Sequence, residues 1–139
     1  MGRVMAPAAI DTLKRHFEET GREPSYYDLI LTGDLGKVGS ELLIDLLKKD
    51  FRIDISKVHN DCGLMIYDLE NQDMHAGGSG CGCSAAVVNS LIMKKLQSKE
   101  LKKALIEARV PIVGKVPRGK TLNAKETLEL LKQLTPLQI

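Results

Sequence analysis

At 139 residues the chain suits one domain, long enough to bury about two-thirds of the surface its unfolded form exposes. It has no Trp, two Phe and three Tyr, so its core must be aliphatic, and a net charge of +2 is too mild for the clustered Lys and Arg with aromatic platforms that nucleic-acid binding uses. Its apolar runs fall far short of the ~20 residues needed to cross a bilayer, and Met1-Gly2-Arg3-Val4-Met5 lacks the long apolar core of a signal peptide, so a soluble, cytoplasmic chain is expected.

Pro7 suits a first helical turn, Ile10, Leu13 and Phe17 repeat at helical spacing, and Gly21 supplies a C-terminal cap, which predicts a helix near residues 7 to 20. Tyr27 to Thr32 reads as a strand buried on both faces. After the turn Gly33 to Gly39, Ser40 is an N-cap for a helix carrying Leu42, Leu43, Leu46 and Leu47 and ending near Asp50. Phe51 to Ile55 alternates but is short, and reads as a connector. Gly63 to Tyr67 is a second strand candidate, or an irregular crossover. Ser79 to Gln97 gives a third helix. This order predicts an α/β fold, helices layered on a mostly parallel or mixed sheet.

The densest motif is Asp73-Met74-His75-Ala76-Gly77-Gly78-Ser79-Gly80-Cys81-Gly82-Cys83-Ser84-Ala85. Glycines permit positive φ and close approach to a ligand or another main chain, and small residues at a helix start leave N–H groups open to an anion. The run reads as an active-site loop or as a tight strand-to-helix crossover. His75 reads on its own as a turn histidine bonded to backbone. His16 falls on a polar helix face and His59 in a turn. Cys62, Cys81 and Cys83 are odd in number, and Cys-x-Cys rarely meets disulfide geometry, so free thiols in a reducing compartment are expected. A zinc site from Cys62, His75, Cys81 and Cys83 lacks the paired spacing of structural zinc modules, so neither metal nor cofactor is expected.

Tyr27-Asp28-Leu29-Ile30-Leu31-Thr32-Gly33-Asp34-Leu35-Gly36-Lys37-Val38-Gly39-Ser40, then His59-Asn60-Asp61-Cys62-Gly63-Leu64-Met65-Ile66-Tyr67-Asp68, then the glycine run, closely resemble in order the C-terminal half of the stage V sporulation protein AD family. That family belongs to the thiolase-like superfamily, and the resemblance covers about residues 1 to 103. It implies a thiolase-like half-domain whose helix over 84 to 97 packs centrally against a second half. Condensing relatives use a Cys nucleophile from the other half with a His and an Asn, or two His, from this one. Gly33 and Gly77 occupy the places of that His and Asn, and glycine carries no proton, so condensation is expected to be lost and the chain not to be an enzyme. The same resemblance makes His75 a candidate general base or anion contact.

The resemblance further implies binding of dipicolinic acid, as its calcium chelate, for uptake into the developing spore. Membrane partner proteins of the same uptake system would assist, with the chain peripheral at the forespore membrane. Gly33, Asp34, His75, Gly77, Gly78, Ser79 and Gly80 are the ligand-binding candidates. An acyl-thioester-binding remnant of an acyltransferase, or a non-functional gene fragment, are the alternative readings.

Residues 104 to 139 read as a divergent tail after the half-domain of 1 to 103. Ala104 to Arg109 extends a helix-like pattern, Val110 to Val116 suits one short strand with Pro111 at an edge, and Thr121 to Leu134 is amphipathic and stopped by Pro136. Pro117 to Lys120 is a basic turn. The face made for the second half would stay exposed and apolar, which predicts dimerisation, as a homodimer, or aggregation.

Overall fold

The computed structural model describes residues 2–78, 80 and 82–107. Helix α1 spans Gly2–Thr20, and a single 3-10 turn over Pro24–Tyr26 leads to β1, Leu29–Thr32. Helix α2 (Gly36–Phe51) connects β1 to β2 (His59–Asp61), which runs straight into the short α3 (Cys62–Met65). Helix α4 (Gly82–Val87), a π-helical turn (Val88–Ile92) and α5 (Met93–Gln97) then lead to β3, Ala104–Glu107. The three strands are parallel in the order β2-β1-β3, with Ile30 opposite both His59 and Leu105.

β1 is central, and its side chains divide the core. Ile30 packs with Ala9, Ile10, Leu13, Phe17, Leu43, Leu47 and Ile55 under α1 and α2. Leu31 points to the opposite face and packs with Cys62, Cys83, Val87 and Ile92. Helices therefore cover both faces, and the α/β layering and the doubly buried strand expected from the sequence are present.

Several boundaries differ from expectation. α1 starts at Gly2, five residues before Pro7, because its N-terminus packs on α2: a Cβ on Gly2 would overlap the Leu35 carbonyl oxygen and lie 2.9 Å from Gly39 Cα. α2 begins at Gly36 and not at Ser40, which sits inside the helix with its Oγ buried and unpartnered among the described residues. The second strand is His59–Asp61, while the apolar run from Gly63 supplies α3. Phe51 closes α2 and residues 52 to 55 form the expected connector, with Arg52 at a left-handed φ of 59°.

The glycine-led helix is one-sided. Cys83, Val87 and Ile92 are buried, whereas Ala85, Ala86, Leu91 and Met93 are exposed, so the face expected to meet a second half is apolar and open among the described residues. Residues 104 to 107 do not continue a helix. They form β3, because Asp28 Oδ2 accepts hydrogen bonds from the Lys102 and Lys103 amides, both at 2.9 Å, and lays the chain along β1. The readings of 108 to 139 lie outside the described residues.

Both amide bonds also hold the Asp28 carboxyl below its usual range. Replacing Asp28 with Ala is expected to raise amide hydrogen exchange across residues 102 to 107 by an order of magnitude while α2 stays protected, as peptide-level exchange mass spectrometry would report.

Candidate functional site

The C-terminal ends of β1 and β2 converge on one carboxylate. Asp61 is fully buried and accepts four hydrogen bonds: Thr32 Oγ1 at 2.7 Å, Leu35 N at 2.9 Å, Gly36 N at 2.9 Å and Gly63 N at 3.0 Å. The amides of Leu35 and Gly36 belong to the start of α2, whose first-turn donors have no partner within the helix. Asp61 satisfies them from another strand, and it caps its own helix α3 through Gly63.

His59 extends this network. Thr32 commits its hydroxyl proton to Asp61, so His59 Nε2 is the donor in its 3.0 Å contact with Thr32 Oγ1. Burial is the main cause that pushes the His59 pKa down, to about 4, against an opposing pull from Asp61. The imidazole is therefore a neutral structural donor at pH 7, not the turn residue expected from the sequence.

Around Asp61 three backbone segments touch. A Cβ on Gly36, whose φ is +65°, would lie 2.7 Å from the Ala76 carbonyl oxygen, and one on Gly77, at φ +90°, 2.6 Å from that of Gly63. A Cβ on Gly63 would overlap the Gly78 carbonyl oxygen. Hydrogen bonds stitch the same contacts: Lys37 N to Ala76 O at 2.8 Å, Gly78 N to Gly63 O at 2.8 Å and Gly77 N to Met74 O at 2.9 Å. The Gly77 and Gly78 amides expected to face a guest are thus already used, and these two glycines serve close main-chain packing.

The other candidates are dispersed along this edge. Gly33 and Asp34 are half-buried just past β1, and a Cβ on Gly33 would make ordinary contact with Ser84, at 3.5 Å. The cavity lined by Gly33, Asp34, Leu35 and Glu107 holds about 10 Å³, room for about one water. His75 takes a left-handed φ of 48°, and its side chain is 88% exposed, with Nδ1 3.7 Å from an equally exposed Asp73 carboxylate. Gly80 is exposed with nothing near its Cβ position, and Ser79 lies outside the described residues.

Two further expectations change or sharpen. His16 is not a solvated surface group: its Nε2 contacts Tyr27 Oη at 2.5 Å, and burial with Arg22 nearby lowers its pKa. Cys62 and Cys83 are free and buried, as packing residues would be. Burial and the neighbouring Asp61 push the Cys62 thiol up to about 12, so no reactive thiolate forms there near neutrality. Cys81 lies outside the described residues. Among those described, no cluster of three or more His, Cys, Asp or Glu is placed to hold a metal ion, and no helix is long and apolar enough to cross a membrane.

The segments that meet at Asp61 are those that carried the resemblance. The family model for stage V sporulation protein AD (SpoVAD) matches residues 1–117. The chain belongs to that family. It is also 44% identical over 128 residues to stage V sporulation protein AD of Bacillus subtilis (strain 168), an alignment covering 92% of this chain and 36% of that relative. The chain thus spans little more than a third of the relative's length, and the family match runs past residue 103 into the segment read as a tail.

Sequence reasoning missed the centre of this arrangement, since His59-Asn60-Asp61 looks like a polar turn. Replacing Asp61 with Ala would strand four donors, each costing about 1–3 kcal/mol when buried and unmet, so a loss of at least about 3 kcal/mol is expected in urea unfolding.

His59 makes stability pH-dependent. Above its ordinary value of 6.5 both folded and unfolded chains keep it neutral and its contribution is complete; as pH falls towards about 4 the unfolded chain takes up a proton that the folded chain refuses. Stability should therefore drop by up to about 3 kcal/mol across that window, on the scale of ~1.4 kcal/mol per pKa unit. Urea midpoints of wild type and His59→Gln at pH 4 and pH 7 check this, since the variant should lose less on acidification.

Proposed function

We propose that this chain forms part of a sporulation protein of thiolase-like shape that binds dipicolinic acid, as its calcium chelate, for uptake into the developing spore, and that it performs no condensation. Membership of the stage V sporulation protein AD family carries this reading. The chemistry at the strand ends supports it. By the resemblance, Gly33 and Gly77 stand where condensing relatives hold a His and an Asn; His59 is committed to Thr32, and the Cys62 thiol is buried.

The guest is assigned to the open edge of Gly33, Asp34, His75 and Gly80, since the cavity beside Gly33 admits only about a water. His75 is the side chain there suited to a carboxylate, exposed and free to reorient from Asp73. Membrane partner proteins of the same uptake system receive the ligand from this edge.

Calorimetric titration with calcium dipicolinate tests the reading. Saturable binding is expected, and His75→Ala should weaken it roughly tenfold or more, the size of a hydrogen bond to a charged group. Unchanged affinity would remove His75 from the site, while turnover of an acyl-thioester would overturn the assignment as a non-enzyme.

A further inference from the structure

At the opposite end of the sheet, where β1 and β3 begin, lies an open surface depression of about 600 Å³ lined by Arg22, Tyr26, Lys102 and Lys103 with Ser25, and also by the acidic residues Glu23 and Asp28. This is the size range of small-molecule sites. The Lys103 ammonium lies 3.8 Å from the Tyr26 ring centroid and the Arg22 guanidinium 4.7 Å from it, so one aromatic ring gathers two cations.

The Arg22 side chain and the main chain at Lys102 and Lys103 are held from behind. Arg22 Nη1 donates to Tyr27 Oη at 3.3 Å, and Tyr27 is itself buried and bonded to His16, which leaves most of the guanidinium's five N–H donors unused. Lys102 and Lys103 are fixed through their backbone amides, both bonded to Asp28 Oδ2, so that oxygen is directed at the main chain. Among the described residues no carboxylate comes within 4 Å of the charged nitrogens of Arg22, Lys102 or Lys103, as also holds for other surface cations such as Lys94 and Lys99, while the Asp28 carboxylate interacts with both lysines at longer range.

We propose that this depression binds a small phosphate-bearing molecule, with Arg22 forking two phosphate oxygens and Lys102 and Lys103 as point charges beside them. A guanidinium suits two-point contact with phosphate, and ammonium groups add charge without geometric demand. Tyr26 orients the cations, and Ser25 offers a hydroxyl at the same mouth. The site stands apart from the edge beyond β1 and does not depend on the dipicolinate reading.

Titration calorimetry with sodium pyrophosphate as the probe, in low salt and again at 0.15 M, is the test. Saturable one-to-one binding is expected, weakened at least tenfold by Arg22→Gln and by Lys103→Gln, and unchanged by Lys94→Gln, which removes the same charge elsewhere. Absence of saturable binding, or equal loss in all three variants, overturns the proposal. So does sedimentation with phosphatidylglycerol vesicles in the absence of any pyrophosphate binding, since the phosphate would then be presented by a lipid surface.

Discussion

The buried carboxylate of Asp61 is the constraint on which the rest of the fold depends. It sits at the end of β2, yet the groups it satisfies belong to the end of β1, the start of α2 and the start of α3. A charged side chain is tolerated in a dry interior only when its hydrogen-bonding capacity is met, and here four donors meet it. The arrangement fixes the turn from Thr32 into Gly36, and that turn in turn brings the main chain of 76 to 78 within hydrogen-bonding reach of Lys37 and Gly63. Glycine at 36, 63 and 77 follows from this crowding: the carbonyl oxygens opposite occupy the space a side chain would need.

Asp28 plays the matching part at the other end of β1. Its Oδ2 takes two amides of the segment entering β3, as Asp61 takes two amides of the loop entering α2. The central strand is thereby bracketed by two carboxylates that recruit its neighbours, one pair buried and one exposed. Between them Ile30 and Leu31 feed separate apolar clusters on the two faces.

How much of this the sequence disclosed depends on the range of the interaction involved. α1, β1 and α2 exist as expected, because Ile10, Leu13 and Phe17, the apolar run 29 to 31, and Leu43 with Leu47 leave a periodic trace within one element. The start of α2 was misplaced because its cap comes from Asp61, 25 residues away from Gly36, and no local signal encodes it. β2 escaped notice because three polar residues show no strand pattern, their place being set by parallel pairing with β1. Pairing likewise overrode the helix-like run from Ala104. The glycine run was recognised as special for a sound reason, close approach, but what approaches Gly77 and Gly78 is the main chain of Gly63 and the thiol of Cys83. The three odd segments that marked the family turn out to be three sides of one packing unit.

The double burial of β1 has a bearing on how the sheet finds its alignment. Most half-buried strands are locked in place because moving by one residue would turn their apolar side chains to water. β1 carries less of that penalty: Ile30 and Leu31 are isomers of equal bulk and could exchange clusters, although a shift would also bring Asp28 to the place of Leu29, or Thr32 to that of Leu31. What the shift would ruin is polar. Thr32 would leave Asp61 without its hydroxyl partner, and Asp28 would be carried away from the paired amides of 102 and 103. In this protein, then, oil supplies the cohesion of the sheet, and two acids supply its address.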